Sequence, residues 1–424
     1  MKQVSVIGLG YVGLPLALAI ERSNKYKVIG YDINNKQVEK ILNKQCPITD
    51  KKAEKDLKEL DLHATSKEEE IKGSDYYIIC VPTPIYDDYT PDYTPVKSAA
   101  KTIGKYLEKG QTVILESTVN PGTCEEILLP ILEKESGLKG GRDFNLAMCP
   151  ERINPGDERW SVYNIPRNIG SLIPSKTHEV AQFYRSFLEG EINEVSSLKI
   201  AEATKIVENT FRDINIAYVN ELAKSFDAMG IDLIETLKAA SNKPFSFMVH
   251  WPSRGVGGHC IAVDPYYLIK RAAQSGFDHK FLKMAREVNN SMPKYTVLRL
   301  QDALNEVKLP VNGTKISLLG LSYKEDIADL RESPCLEIMD ILKNMGADLC
   351  IYDPYVKDMS NVKTLDDALD SCSAVVVSTA HKIFGNLTQE ICKRDNILVV
   401  IDGMNKLNKE EIIKSGKIYR GIGR

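Results

Sequence analysis

At 424 residues the chain is too long for one ordinary core, and two or three domains are expected. Its 55 basic and 58 acidic residues leave a net charge of −3, which excludes a global field that would recruit nucleic acid or an anionic membrane. Nine cysteines without a Cys-x-x-Cys pair exclude a disulfide framework, and six scattered histidines without a ligand pair at useful spacing exclude a metal site, so a cytoplasmic protein with reduced thiols is expected.

The opening Met1-Lys2-Gln3-Val4 runs straight into a strand without the apolar stretch of a signal peptide, and no later run approaches bilayer length. The apolar run Val4-Ser5-Val6-Ile7 leads into Gly8-Leu9-Gly10-Tyr11-Val12-Gly13, after which a helical pattern begins at Leu14. Strand, glycine turn and helix form the context of a dinucleotide site: Gly8 makes the turn, Gly10 lets the backbone approach a pyrophosphate, and Gly13 permits close packing of the helix. The phosphates would sit at the helix N-terminus beside Tyr11 and Val12. A second strand over residues 27–31 ends in Asp32, nineteen positions after Gly13, where a carboxylate binds ribose hydroxyls and repels a 2′-phosphate, so NAD is expected rather than NADP.

The βα rhythm continues through residues 76–81 into Pro82-Thr83-Pro84, and through 112–115 into Glu116-Ser117-Thr118. Ligands collect at the carboxyl ends of parallel strands, so both tails should line the cofactor cleft. A strand over 145–149 ends in Pro150-Glu151-Arg152-Ile153-Asn154-Pro155-Gly156, which makes Thr118 and Glu151 candidate polar groups at a reaction centre, although loop capping would explain either one alone. Residues 87–95, with two tyrosines, two prolines and several aspartates, read as an exposed loop that could serve as a lid.

From Ser197 to about Met229 there is neither proline nor glycine, and apolar residues recur at helical spacing, which predicts one long helix joining domains. Lys205 and Asn209 lie four apart and offer a cation and an amide from one face, a pattern equally at home on a solvated face. Apolar residues on several faces of this helix predict burial against a second subunit, hence a homodimer or higher homo-oligomer.

The run Arg254-Gly255-Val256-Gly257-Gly258-His259-Cys260, followed by Asp264-Pro265, concentrates three glycines, two basic side chains and a carboxylate around one cysteine. Nearby positive charge from His259 and Arg254 would favour a thiolate at Cys260, a nucleophile rather than the buried small residue of a tight turn. Residues 314–324 and 346–353 then repeat the opening strand, turn and strand without the glycine fingerprint, and Lys324 with Arg331-Glu332-Ser333 stands near its place. An α/β architecture follows: two Rossmann-like doubly wound halves, joined by a long helix and a helical middle, with a cleft between the halves. The boundaries expected are 1–196 for NAD binding, 197–305 for the middle domain carrying the nucleophile loop, and 306–424 for a second nucleotide-type ligand whose phosphates meet Lys324 and Arg331.

Taken together these motifs resemble the UDP-glucose/GDP-mannose dehydrogenase family, and within it the UDP-N-acetylhexosamine branch. The likeness rests on the glycine fingerprint, Ser117-Thr118-Val119 with Gly122-Thr123, Pro150-Glu151, Glu202-Ala203-Thr204-Lys205 with Glu208-Asn209, Gly257-Gly258-His259-Cys260 with Asp264-Pro265, and Gly320 with Lys324 and Arg331-Glu332-Ser333. The resemblance implies NAD-linked oxidation of a UDP-sugar's C6 hydroxymethyl to a carboxylate through a thiohemiacetal and thioester on Cys260, in the making of surface polysaccharide or glycan precursors. It further implies that Glu151 and Thr118 position or activate the hydrolytic water, that Lys205 and Asn209 stabilise oxyanions, and that Asp264 supports proton transfer. Arg152, Arg254, Gly257, Lys324 and Arg331 would contact the substrate, Arg254 in a loop offered across a dimer interface. The run Pro150 to Gly156 is similar to the UDP-N-acetylhexosamine branch, and the runs Phe277 to Phe281 and Val288 to Pro293 are most similar to UDP-N-acetylglucosamine 6-dehydrogenases, while Ile261-Ala262-Val263 also occurs among UDP-N-acetylmannosamine enzymes. One departure stands out: many relatives carry an arginine in the loop after the last strand, where this chain has Asp402-Gly403-Met404-Asn405-Lys406, and Lys406 would have to substitute. A two-electron alcohol dehydrogenase, a UDP-glucose enzyme and a non-catalytic nucleotide sensor are the rival expectations.

Overall fold

The computed structural model describes residues 1–86, 88–153 and 159–424, and the chain divides into two compact units, each discontinuous in sequence. The first comprises Met1–Glu208 with Tyr266–Gly276, and the second Asn209–Pro265 with Phe277–Arg424. The stretch expected as a separate middle domain, 197–305, is therefore divided between them.

In the first unit eight strands form one sheet: β1 (Lys2–Ile7), β2 (Tyr26–Tyr31), β3 (His63–Thr65), β4 (Tyr76–Ile79), β5 (Thr112–Leu115), β6 (Asn145–Met148), β7 (Arg167–Ser171) and β8 (Ile192–Glu194). Their order is β3-β2-β1-β4-β5-β6-β7-β8. All neighbours are parallel except β6 and β7, which pair Ala147 with Ser171 and Met148 with Gly170 in antiparallel register. The side-chain period of two sends Ile114 into one core and Val113 and Leu115 into the other, so the sheet is covered by helices on both faces, as a doubly wound fold requires.

The second unit holds β9 (Lys315–Leu319), β10 (Asp348–Tyr352), β11 (Ala374–Val377), β12 (Val399–Asp402) and β13 (Ile418–Gly421), parallel throughout in the order β10-β9-β11-β12-β13. Here too alternation divides the apolar residues, with Ala374 and Val376 in one core and Val375 and Val377 in the other. The long helix predicted from periodicity spans Leu198–Met229 and has residues in both units. Residues 87–95 are compact where they are described: Tyr86 N–H donates to the Thr90 carbonyl at 2.9 Å, Ile85 bridges Pro91, and Tyr89 stacks on Tyr266 with ring centroids 4.0 Å apart. Asp87 lies outside the described residues, as do Asn154, Pro155 and Gly156 of the Pro150 motif. Among the described residues no helix is long and apolar enough to cross a membrane.

Candidate active site

The glycine turn after β1 shows which of its glycines the fold itself demands. Gly8 has φ +91°, and a Cβ on Gly13 would fall 1.8 Å from the Gly8 carbonyl oxygen, so neither position admits a side chain. At Gly10 a Cβ would meet nothing within 4 Å, so the packing leaves open space where a backbone-hugging ligand would lie. The helix that follows, Gly13–Arg22, has no side-chain cap and no acidic residue in its first turn, which leaves its positive end suited to an anion. Asp32 accepts the Leu9 N–H on Oδ2 at 2.8 Å and the Asn34 N–H on Oδ1 at 2.9 Å, which fixes a half-buried carboxylate beside the turn. The residues present thus fit a dinucleotide, with Tyr11 exposed at the rim of the turn. After β4, Pro82 is exposed and Thr83 is buried, its carbonyl accepting the Tyr267 hydroxyl at 2.7 Å.

At the carboxyl ends of β5 and β6, still in the first unit, Thr118 is half-buried and Glu151 is buried. Glu151 Oε1 accepts the N–H groups of Arg152 and Ile153, both at 2.6 Å, and Oε2 accepts from Arg167 Nη2 at 2.8 Å. The Arg152 side chain, expected on the substrate, instead pairs with Glu208 (Nη2 to Oε1, 2.8 Å) and donates to the Pro166 carbonyl. Glu202, at 1 % exposure, accepts the Gly122 N–H at 2.5 Å and the Cys124 N–H at 2.7 Å, and so ties the long helix to the Thr118 loop. Lys205, buried and three residues on along the same helix, is set by that tie.

In the second unit Cys260 is the exposed thiol of the nine; the others are buried or half-buried, and none is joined in a disulfide. Asp264 N–H donates to the Cys260 carbonyl at 2.9 Å, and the Asp264 carboxylate accepts from Asn209 Nδ2 at 2.5 Å, so the fold brings Asn209, Asp264 and the cysteine backbone together. Asn209 and Asp264 are both buried. The loop is held by its glycines: Gly258 has φ +84° and donates its N–H to the Arg331 carbonyl at 3.0 Å, while a Cβ on Gly257 would fall 2.6 Å from both the Glu332 carbonyl oxygen and Tyr323 Cβ. Its root is held by a buried chain in which Asn289 donates to Asp213 Oδ1 at 2.7 Å, Asn220 to Asn289 Oδ1 at 2.9 Å, and Ser253 N–H to Asn220 Oδ1 at 2.9 Å.

Two expectations about charge at the cysteine are corrected. Burial pushes the His259 imidazole below its ordinary value and Arg331 adds to the effect, so His259 is neutral near neutral pH. Arg254, at 2 % exposure, turns inward to the Tyr323 carbonyl and Thr379 Oγ1, both at 2.9 Å. Arg331, exposed and paired in bidentate fashion with Asp329, is a cation whose field reaches Cys260. Spacing alone missed it because it lies seventy-one positions downstream. Arg254 also answers the missing arginine at position 404: its Nη1 contacts Met404 Sδ, and its N–H donates to the Gly403 carbonyl at 2.9 Å. Lys406, the expected substitute, is exposed and sits 3.9 Å from Glu325.

The second glycine turn differs in kind from the first. Gly320 keeps φ +80°, but Asp353, the counterpart of Asp32 at the end of β10, is wholly buried. Its Oδ2 accepts the N–H groups of Leu321 at 2.6 Å and Ser322 at 3.1 Å, together with His381 Nε2 at 3.1 Å. His381 Nδ1 accepts the Asp326 N–H at 2.9 Å, so the loop bearing half-buried Lys324 is pinned from two sides. A carboxylate closed off in this way has no reach to a ribose.

The NAD binding domain of the UDP-glucose/GDP-mannose dehydrogenase family matches residues 2–188, its central domain 199–291 and its UDP binding domain 317–409. The chain is similar to the UDP-N-acetyl-D-mannosamine dehydrogenase of Pyrococcus horikoshii, at 36% identity over 100% of this chain and 99% of the relative. It is also similar to the UDP-N-acetyl-D-glucosamine 6-dehydrogenase of Pseudomonas aeruginosa, at 37% identity over 96% and 94%. A solved structure of the UDP-D-ManNAc dehydrogenase from P. horikoshii superposes with a TM-score of 0.92 at 34% identity, covering 100% of this chain and 99% of that one.

Proposed function

Because the chain belongs to the UDP-glucose/GDP-mannose dehydrogenase family and carries its NAD binding domain, we propose that it oxidises the C6 hydroxymethyl of a UDP-N-acetylhexosamine, UDP-N-acetylglucosamine foremost, to the uronic acid. The observation that carries this reading is the exposed Cys260 thiol, on a glycine loop that shares one hydrogen-bonded group with Asn209 and Asp264. When bound, NAD serves as the acceptor of two hydrides per sugar. The chain's own part is to place C6 and move protons. Lys205 and Asn209 stabilise charge on the C6 oxygen, and Asp264 passes the proton on through a water. Cys260 sulfur adds to the aldehyde carbon, the adduct is oxidised to a thioester, and water then attacks the acyl carbon as the carbon–sulfur bond breaks and the thiolate leaves. Glu151 and Thr118 position that water, and Glu151 takes its proton. Lys324 and Arg331 meet the diphosphate.

The glucosamine preference is supported by the runs around Phe277 to Phe281 and Val288 to Pro293; the 36%-identical mannosamine enzyme favours the C2 epimer as a second reading. Exposed Ile200, Phe211 and Tyr218 on the long helix support a homodimer, which light scattering tests, and nine cysteines outside any disulfide support a cytoplasmic setting. NADH release is to be measured against UDP-glucose and the UDP-N-acetyl derivatives of glucosamine, mannosamine and galactosamine. Two NADH per sugar and a carboxylate product are expected; one NADH and an aldehyde would show a two-electron alcohol dehydrogenase. Cys260→Ala is expected to abolish net acid formation, and acid made at the native rate by this variant would overturn the thioester route.

A further inference from the structure

The antiparallel turn of β7 has a chemical result. Because β7 runs against β6, its first residue, Arg167, arrives at the edge where the carboxyl ends of β5 and β6 present Glu116 and Glu151. Arg167 is completely buried, with Nη1 on Glu116 Oε2 and Nη2 on Glu151 Oε2, each at 2.8 Å. Glu116 is likewise fully buried and accepts the Tyr184 hydroxyl on Oε1 at 2.6 Å. A fully buried guanidinium stretched between two carboxylates is expensive to keep unless it sets geometry, since apolar packing would serve stability as well.

We infer that Arg167 is a positioning residue for thioester hydrolysis: anchored on Glu116, it holds the Glu151 carboxylate in the orientation that receives the proton of the attacking water. This rests on the reading of Glu151 given above. Among the described residues three donors converge on Glu151: two backbone N–H groups close Oε1, and Arg167 closes one side of Oε2, so the other lone pair of Oε2 has a single fixed direction. Burial pushes the Glu116 carboxyl up to about 7 against the pull of Arg167. Lysine in place of Arg167 keeps the charge but cannot bridge two carboxylates with a planar fork.

The test is pre-steady-state NADH release by the NAD-loaded enzyme with its UDP-sugar, for wild type, Arg167→Lys, Glu116→Gln and Glu151→Gln, with mass spectrometry of the acylated Cys260. Arg167→Lys is expected to give a burst of two NADH per site at the native rate, followed by turnover slowed about 10- to 100-fold as thioester accumulates, the size a misplacement near 1 Å produces. Glu116→Gln, isosteric and able to fold should Arg167→Lys fail, is expected to show the same separation of burst from turnover to a lesser degree. Burst and turnover slowed alike in both variants, or unchanged in both, would overturn the inference and leave Arg167 as a packing residue. If Glu151→Gln itself hydrolyses thioester normally, it is the assignment of Glu151 that fails.

Discussion

Replacing Asp353 with asparagine tests whether the second half has turned a ligand-binding carboxylate into a structural one. Five donors meet this buried side chain: Leu321, Ser322 and His381 on Oδ2, with the Tyr355 N–H at 2.8 Å and the Val356 N–H at 3.1 Å on Oδ1. Burial pushes the acid up, but the His381 hydrogen bond and the Leu321 and Ser322 N–H groups outweigh it and hold it at about 2, against an ordinary 3.8. At roughly 1.4 kcal/mol per unit, ionised Asp353 contributes about 2–3 kcal/mol to folding. Because the folded value is the depressed one, that contribution is present above pH 3.8 and is lost as the pH falls toward 2. An asparagine offers one oxygen, so in either orientation its amide faces at least two N–H donors and leaves them unpaired, at about 1–3 kcal/mol each. The expected loss is therefore about 2–6 kcal/mol. It is read as an earlier transition in urea unfolding followed by circular dichroism, with weaker UDP binding by calorimetry because the Lys324 loop is pinned through the same carboxylate. An unchanged urea midpoint with native UDP affinity would refute the reasoning.

Asp32→Asn, at the half-buried counterpart, is expected to leave the urea midpoint near that of the wild type and to raise the KM for NAD by about 10-fold or more, the size of a hydrogen bond to a charged group. A large stability loss there would erase the contrast between the two turns. Gly13→Ala puts a Cβ 1.8 Å from the Gly8 oxygen, and NAD titration by fluorescence should show binding lost along with the turn. Tyr267→Phe removes the donor to the Thr83 carbonyl and is expected to lower stability by about 1–2 kcal/mol in the same urea assay, with Cys260 chemistry intact. Finally, the Glu116 acid is raised in the folded state, so folding stability should fall as the pH rises from 4.5 through about 7 and level off above it. Glu116→Gln should flatten that slope, as followed by urea midpoints across the pH range.

The parts of the molecule legible in the sequence are those whose signal is local. Gly8, Gly10 and Gly13 lie within one turn, Asp32 follows at a fixed interval, and the unbroken helical period from Ser197 fixed the span of the long helix to within a residue or so. The repeat at residues 314–353 was readable too, but not the fate of Asp353, because what closes it off is His381, which reaches it from another strand's end. Charge partners proved hardest. Proximity in sequence pointed to His259 and Arg254 for Cys260, whereas folding leaves the former neutral, turns the latter inward and brings up Arg331. Arg167 carried no motif at all; its meaning comes from the reversed direction of one strand.

The nucleophile loop and the loop bearing Lys324 and Arg331 are welded through Gly258, Tyr323 and Arg254. With the assignments made above, the fold acts as a ruler: the span from diphosphate to sulfur is set before any sugar arrives, and an unbranched or shorter ring would leave its terminal carbon out of range. Such a gauge measures length and ignores the configuration at C2 and C4. Enzymes built on it could exchange one epimer for another by altering side chains elsewhere, without ever recalibrating the distance on which the covalent step depends.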